Sequence, residues 1–418
     1  VAEVTTDPII RIEAGMHTSR IASVSTDSQG RYALTVSLDQ TARIWEIASG
    51  RQLTVIRPPL GMSLASGIFS PDASQVTLCI NQTLLIFDLN GRLLQTVPIS
   101  AEVAYGLAFS PDGRWIAIAC PNGLEIRDLT TPSFVATDMA YGGPAIMVTW
   151  ASDGRLATTG KDGKIRLYNF KLGRLEKPSL VSGKSGKEPS TLAFSPDASQ
   201  VAVVYSDKPA MDLFDGKKMQ YKSSLPIAPE TKTLSTLTWH ANGKSIYAAG
   251  NNWKGSLSNR IRRWDIATPA SPMDINAGSG FIDGICARPD GSLLVADHTP
   301  SLGLIDSVGN YREVVTSPIA SFLGQRDSFA LDATGKTIQF SYVSQSFSPT
   351  APAPWSFRLY DRNLQTGPFT GAKPANTSQL KITDWFDSTN PKLNGKPLTL
   401  SLGDISLNYA IAPDNQFF

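Results

Sequence analysis

Histidine is scarce in this chain, with three residues in 418, and its scarcity narrows the chemistry that the protein can perform. His17, His240 and His298 are isolated from one another, and neither an HExxH pair nor a calcium-loop spacing occurs. We therefore expect no bound metal and no cofactor. A catalytic group can also be assembled from residues on distant loops, so an enzyme with a central-channel active site stays open as an alternative.

Cysteine is equally scarce, and nucleophile motifs are missing. The chain has an odd number of cysteines, three, and they lie in apolar stretches of sequence: Cys79, Cys120 and Cys286. This pattern favours free buried thiols over a disulfide framework or a zinc site. Gly183-Lys184-Ser185 is similar to the end of a P-loop, but Pro178 stands where that motif requires glycine. We predict that the chain has no catalytic residues and is not an enzyme.

Charged residues are few, at 18%, and the net charge is only +2, so the composition gives no general reason to expect nucleic-acid binding. No apolar run of 18 residues occurs, and no membrane-spanning helix is predicted. One stretch, residues 161–187, holds eight basic residues against Asp162 and Glu176. It is either a solvated outer strand and loop or an anion or nucleic-acid site. The candidate anion patch consists of Lys161, Lys164, Arg166, Lys171 and Arg174.

What the chain has in abundance is one repeated turn. A Ser-Pro-Asp-Gly turn or a relative of it recurs at intervals of 40 to 48 residues. The last residues of these turns are Gly30, Ala73, Gly113, Gly154, Ala198, Gly243, Gly291 and Gly335. Self-similarity at this period is typical of a β-propeller built from four-stranded antiparallel blades.

The third repeat shows the pattern of strands within a unit. Tyr105–Phe109 is a short strand that enters the turn, and Trp115–Cys120 is almost wholly apolar, as expected for a strand buried on both faces. Asn122-Gly123 is a hairpin turn, and Leu124–Leu129 then alternates apolar and charged residues. The chain is therefore predicted to be all-β.

A bulky residue followed by a polar one stands after each turn, and it resembles the Trp-Asp dipeptide of WD-repeat proteins. The pairs are Trp45-Glu46, Phe87-Asp88, Arg127-Asp128, Tyr168-Asn169, Phe214-Asp215, Trp264-Asp265, Ile305-Asp306 and Tyr360-Asp361. In the first unit the resemblance implies a buried hydrogen-bond network of His17, Asp39 and Trp45 with Thr35 or Ser37. Most other units lack the histidine, so we expect no such network in them.

The number of repeats predicts a seven-bladed ring over about residues 8–320, closed by Ile9–Glu13 pairing beside Leu302–Ile305. Residues 321–418 would form further blades, the start of an incomplete second propeller. A single eight-bladed ring is the alternative. Residues 398–402 and 405–411 are apolar and no strands follow to cover them, so we expect a missing C-terminal segment or a second chain to complete the last blades.

Three segments resemble a narrower group. Residues 11–18, residues 56–61 and residues 381–385 with 391–397 are similar to the repeat region of large bacterial proteins that join WD-repeat propellers to a caspase-like peptidase. The resemblance implies a regulatory sensor or scaffold arm, and a chain that starts at Val1 without a leader suits an extracytoplasmic location. We expect non-catalytic binding of a protein or peptide on the loops that link one blade's outer strand to the next blade's inner strand.

Overall fold

Short strands joined by tight turns form all the regular structure in the described part of the computed structural model. Residues 15–315 are described except 18, 59–63, 102, 132–134, 229–230, 232, 251–259, 279–280 and 299. Beyond residue 315 the structure describes only the backbone of short strands. The chain divides into two compact units, Val1–Thr316 and Ser317–Phe418.

The first unit contains seven consecutive antiparallel sheets, which we call blades 1 to 7. The strands of blades 1 to 3 are β1 (Ile21–Thr26), β2 (Tyr32–Ser37), β3 (Ala42–Glu46), β4 (Arg51–Ile56), β5 (Leu64–Phe69), β6 (Gln75–Ile80), β7 (Thr83–Asp88), β8 (Leu93–Pro98), β9 (Gly106–Phe109), β10 (Trp115–Cys120), β11 (Gly123–Asp128) and β12 (Val135–Asp138). Those of blades 4 and 5 are β13 (Ala145–Trp150), β14 (Arg155–Gly160), β15 (Lys164–Lys171), β16 (Arg174–Leu175), β17 (Ser179–Ser182), β18 (Pro189–Phe194), β19 (Gln200–Tyr205), β20 (Met211–Asp215) and β21 (Tyr221–Leu225). Those of blades 6 and 7 are β22 (Thr236–Trp239), β23 (Ser245–Ala249), β24 (Arg260–Asp265), β25 (Met273–Asn276), β26 (Ile282–Ala287), β27 (Leu293–Asp297), β28 (Leu302–Ile305) and β29 (Tyr311–Val315).

Each blade is a meander in which strands pair in chain order, from an inner first strand to an outer fourth strand. Blade 4 departs from this pattern. Its fourth strand, β17, pairs with the first half of β15, while the end of β15 forms an extra hairpin with β16.

The second strand of each blade is the most deeply buried. All six residues of Trp115–Cys120 are buried, in agreement with the apolar pattern of this segment. Hydrophobic clusters join the middle strands of adjacent blades, as in the cluster that contains Leu34 and Ile44 of blade 1 with Val76 and Leu78 of blade 2. The core is therefore a ring of layers between blades, and no blade buries both its faces alone.

Aspartate side chains stabilise the turns of the repeat by accepting hydrogen bonds. In the Ser-Pro-Asp turn of blade 3, Ser110 Oγ donates to Asp112 and accepts from the backbone N–H of Trp115 at 2.9 Å. The aspartate after the bulky residue caps the next turn, and Asp128 Oδ1 accepts from the N–H groups of Thr130 at 2.8 Å and Thr131 at 3.3 Å. The repeated Asp positions thus satisfy backbone donors that a two-residue turn leaves unpaired.

Seven blades close the ring. The first strands contact one another in a cycle in which β26 of blade 7 lies directly against β1 of blade 1. Arg288 in blade 7 donates from Nη2 to the carbonyl oxygen of Gly30 at 2.6 Å. The seven-bladed prediction is confirmed, and the eight-bladed alternative is wrong because no further blade separates blades 7 and 1.

The predicted manner of closure needs correction. β28 pairs with β27 on one side and β29 on the other, so neither of its edges is free for Ile9–Glu13. Blade 7 obtains its outer strand from the following residues, 311–315, and not from the start of the chain. Residues 9–13 themselves lie outside the described residues.

In the second unit the described strands form two sheets. β30 (Phe329–Leu331), β31 (Thr337–Ser341), β32 (Pro354–Arg358) and β33 (Gly367–Pro368) form a four-stranded meander, and β34 (Ile382–Thr383), β35 (Lys392–Leu393) and β36 (Lys396–Pro397) form a three-stranded one. The predictions that residues 321–418 begin a second propeller and need a further segment stay predictions, since residues 398–418 lie outside the described residues.

Acid should lower the thermal stability of the protein, because it protonates the carboxylate of Asp128 in a turn of blade 3. Burial by itself raises the pKa of Asp128, but hydrogen bonds from Arg114 and Thr130 outweigh it and hold the pKa at about 2. Because the folded-state pKa is below the ordinary value of 3.8, the stabilisation is complete above that value and is lost as the pH falls towards about 2. Thermal unfolding followed by circular dichroism should show a falling midpoint across this interval. Asp128→Asn, which cannot titrate, should show a shallower fall, and equal slopes for both proteins would contradict the assignment.

Candidate functional site

The ring presents two faces made of different connections. The upper face consists of the loops that lead from an outer strand to the next inner strand, together with the turns between second and third strands. Backbone hydrogen bonds tie these two kinds of connection together, as from Leu38 N to Arg20 O at 3.0 Å and from His298 N to Phe281 O at 2.7 Å. The lower face consists of the Ser-Pro-Asp turns and the turns between third and fourth strands.

The upper face displays apolar side chains on its loops. Twelve large hydrophobic side chains are exposed among the described residues, five of them in outer strands and two on the lower face. The remaining five lie on the upper face: Leu38, Val103, Tyr105, Met139 and Phe281. Apolar residues on loops gain nothing from strand formation or core packing, so these five side chains are available for contact with another molecule.

A buried carboxylate lies beneath this face at the junction of blades 7 and 1. The side chain of Asp283 is 2% exposed, and its Oδ2 lies 3.2 Å from Arg20 Nε and 3.3 Å from His298 Nδ1. Burial raises the pKa of Asp283 although both cationic partners oppose the shift. The ring of Phe281 meets the His298 ring edge-on at 6.1 Å. The ionisable side chains of Arg20, Asp283 and His298 thus lie next to an exposed aromatic side chain.

The structure brings His17, Asp39 and Trp45 together in blade 1. His17 is fully buried, with Nε2 at 2.7 Å from Thr35 Oγ1 and Nδ1 at 3.0 Å from Asp39 Oδ2. The indole N–H of Trp45 donates to the same Thr35 oxygen at 2.8 Å. Of the two candidate hydroxyls it is therefore Thr35 that joins the network, while Ser37 Oγ donates to the Ser19 carbonyl at 2.8 Å.

The expectation that other blades lack such networks is wrong for blade 4. Tyr141, on the loop that enters the blade, shares hydrogen bonds with Thr158 Oγ1 at 2.6 Å and with the Tyr168 hydroxyl at 2.8 Å. Tyr168 in turn donates to Asp138 Oδ2 at 2.8 Å. Tyr141 thus takes the place of the histidine and Tyr168 that of the tryptophan. Burial raises the pKa of Tyr141 to about 12, so the Tyr141 hydroxyl stays protonated at neutral pH.

Blade 5 uses a carboxylate for the same purpose. Asp212 is fully buried and accepts from Tyr205 Oη at 2.5 Å, from Ser185 Oγ at 2.5 Å and from Ser224 Oγ at 2.6 Å. The backbone N–H groups of Lys184 and Ser185 also point to it, at 3.1 and 2.9 Å. Burial tends to raise the pKa of Asp212, but these hydrogen bonds lower it overall. The Gly-Lys-Ser segment therefore cradles a carboxylate of its own chain.

One sequence signal could have revealed these networks. A buried polar residue stands two positions before the bulky residue in five blades: Arg43, Glu125, Arg166, Asp212 and Arg262. Each strand here alternates between two packed faces, so an ionisable residue at this position must meet a partner inside the protein. In blade 6, for example, Arg262 Nε donates to Asp274 Oδ1 at 2.6 Å.

The candidate anion patch is not a single surface. Lys161 and Lys164 stand at the upper end of β15, where Lys161 pairs with Glu188 at 2.7 Å. Lys171 lies at the lower end of β15, and Arg174 is the first residue of the neighbouring strand β16. Arg166 between them is 3% exposed, pairs with Asp162 at 2.6 Å and lies over the Tyr141 ring at 3.7 Å. This geometry gives the anion and nucleic-acid alternative no support.

The alternative of a propeller enzyme with a central-channel active site would be favoured if His240, His298 and several carboxylates clustered at the mouth of the channel. His240 is in a lower-face turn, where its Nδ1 accepts from Asn242 N at 3.1 Å, whereas His298 is on the upper face. Across the described residues there is no group of three or more His, Cys, Asp or Glu side chains placed to hold a metal ion.

The described segments also contain no helix long and apolar enough to span a membrane.

Comparisons with known proteins agree with this geometry. The fold is a seven-bladed β-propeller, and residues 14–46 match the model of the family described as WD domain, G-beta repeat. This segment contains the whole network of His17, Thr35, Asp39 and Trp45. The first blade of this propeller is thus similar to a WD repeat.

Curated WD-repeat proteins are similar to parts of the chain. WD repeat-containing protein SL1-17 of Schistosoma mansoni is 30% identical over 174 residues. The match covers 39% of this chain and 55% of the length of that protein. Small ribosomal subunit protein RACK1 of Candida albicans is 25% identical over 61% of this chain and 80% of its own length. p21-activated protein kinase-interacting protein 1-like of Danio rerio is 22% identical over 40% of this chain and 45% of its own length.

The network of blade 1 generates a stability prediction. His17→Ala removes one partner from both Thr35 and Asp39, and unsatisfied buried polar groups should lower the free energy of unfolding by about 1–3 kcal/mol. Urea unfolding of wild type and variant measures the loss. His240→Asn serves as the control, because asparagine can still accept the turn hydrogen bond, and it should change stability little. Equal stabilities of His17→Ala and wild type would show that the network is not required.

The thiols should be inert in the folded protein. Burial raises the pKa of Cys79 to about 12 and that of Cys286 to about 11, and it also raises the pKa of Cys120. Because the thiolate is the reactive form, roughly one part in a thousand or less of Cys79 and of Cys286 is reactive at pH 8, and the raised pKa of Cys120 lowers its reactive fraction as well. Ellman's reagent should label none of the three thiols in native protein within minutes and all of them in denaturant. Fast labelling of native protein would contradict the burial of these side chains.

Proposed function

We propose that the chain is a non-catalytic scaffold that binds a protein or peptide on the upper face of its seven-bladed ring. The observation that carries this proposal is the group of exposed apolar side chains on the upper loops, Leu38, Val103, Tyr105, Met139 and Phe281. The charged group of Arg20, Asp283 and His298 lies beside Phe281 and adds polar recognition. Apolar anchors with neighbouring charges are the usual composition of protein-binding sites.

The ring suits this role because it keeps the loops in fixed positions. The connections of the upper face are tied by backbone hydrogen bonds and by the buried networks of Thr35, Tyr141 and Asp212. A surface that is already ordered loses little conformational entropy when it binds. One relative, the Danio rerio protein, is named for its interaction with a protein kinase, which supports protein binding as the class of function.

The narrower hypothesis is that this scaffold is the regulatory arm of a bacterial caspase-like protease. It rests on the resemblance of residues 11–18, residues 56–61 and residues 381–385 with 391–397 alone. The relatives described above are eukaryotic, and none of them is named as a peptidase. Co-purification of a peptidase with the full-length protein from its source cells would support the narrower hypothesis.

Site-specific photo-crosslinking tests the proposed face. Benzoylphenylalanine placed at Tyr105 or Phe281 should form discrete adducts with a protein from an extract of the source cells. Leu94, an equally exposed residue on an outer strand, provides the matched control and should form none. Tyr105→Asp should then weaken binding of the captured protein by about tenfold, while Leu94→Asp leaves it unchanged. Adducts at Leu94 together with none on the upper face would contradict the proposal.

A further inference from the structure

A groove of about 680 Å³ opens on the lower face between blades 3 and 4. Its walls are aromatic, since the Phe170 ring meets the rings of Trp115 and Trp150 edge-on at 5.0 and 5.4 Å. The indole N–H of Trp150 already donates to the carbonyl oxygen of Ala108 at 3.1 Å. The groove therefore offers apolar ring surface in a volume that accommodates several side chains.

The extra hairpin of blade 4 forms one rim of this groove. Lys171 and Arg174 are cross-strand partners in the β-ladder of this hairpin. Leu172 and Gly173 between them form a two-residue turn in which both residues have positive φ, 50° and 75°. Asn-Gly is the favoured sequence for such a turn, and leucine is a poor choice on grounds of local stability. The Leu172 side chain is fully exposed, at 101%. An apolar side chain held in solvent at this position suits contact with a partner.

The groove is acidic. The carboxylates of Asp112, Asp128 and Asp153 line it together with the guanidinium of Arg114, and Arg155 beside it pairs with Asp153 at 2.6 Å, so the carboxylates exceed the guanidinium groups by one. Arg114 is already paired with Asp128 at 2.6 Å, whereas Asp112 is exposed and accepts from its own turn. Burial opposes the ionisation of Asp153, but hydrogen bonds from Arg155 lower its pKa overall, so it is charged at neutral pH.

The basic residues of the hairpin do not offset this charge. Side chains of cross-strand partners share one face of a hairpin, and successive residues alternate between faces. Phe170 and Leu175 are partners and both pack with the cluster that contains Trp115. Lys171 and Arg174, the next pair, therefore lie on the opposite face of the hairpin, away from the groove.

We propose that this groove binds an extended segment of a partner protein in which an aliphatic or aromatic side chain stands next to a lysine or arginine. The apolar side chain packs against Trp150, Phe170 and Leu172, and the cation pairs with Asp112. This site is separate from the upper face, so the ring can hold two partners on opposite faces.

The test uses short random peptides displayed on phage. The library is first depleted on Leu172→Asn protein and then selected on wild type, and the enriched peptides are synthesised for fluorescence polarisation. Leu172→Asn is a favourable variant because it creates the Asn-Gly turn, and its melting temperature should not fall below that of wild type. Val308→Asn is the matched control, because Val308 is 75% exposed on the corresponding turn of blade 7.

The enriched peptides should carry lysine or arginine next to an apolar residue and should bind wild type more weakly as salt is raised. Leu172→Asn and Asp112→Asn should weaken binding by about fivefold or more, while Val308→Asn and the upper-face variant Tyr105→Asp should not. The proposal is overturned if no peptide is enriched after depletion, if the enriched peptides lack basic residues, or if they bind Leu172→Asn as tightly as wild type. Tyr105→Asp changes only the upper face, so its effect on peptide binding distinguishes binding in this groove from binding on the upper face.

Discussion

Closure of the ring between blade 7 and blade 1 is the contact on which the rest of the structure depends. The middle strands of every blade are buried between two neighbours, so an open array would leave two apolar surfaces exposed to water. One cluster at the junction joins Trp45 and Ile21 of blade 1 to Leu294 and Leu302 of blade 7. Gly284 permits the close approach, because a Cβ there would lie 2.9 Å from the Val24 side chain.

Within this closed ring each blade must also fix the loop that enters it. Blade 1 does so with His17, blade 4 with Tyr141 and blade 5 with Asp212. The three groups differ in chemistry, but each lies in a buried network that connects the entering loop to strands of its own blade. The common constraint is that a buried polar group must find its partners locally, whereas the identity of the group is free to vary.

The connections between strands are the part of the molecule that we propose recognises partners. Because the strands carry the stability, exposed apolar side chains such as Tyr105 and Phe281 on the upper face and Leu172 on the lower face can be held in solvent. Leu172 occupies a turn in which asparagine would be more stable, and this conflict between local stability and the residue present is typical of a functional position. In the two proposals, one rigid frame carries two faces with different chemistries of recognition.

The sequence by itself determined the blade: the turn spacing, the apolar run Trp115–Cys120 and the capping role of residues such as Asp128 are local, and local periodicity encodes them. It also indicated the partners of His17, since the spacing of a known repeat places them together. The tertiary structure alone decided how the ring closes, because the bond from Arg288 to Gly30 joins residues that are 258 positions apart. It also decided the groove between blades 3 and 4 and the separation of Lys161 from Lys171, since both depend on which end of a strand each residue occupies after neighbouring blades pack together.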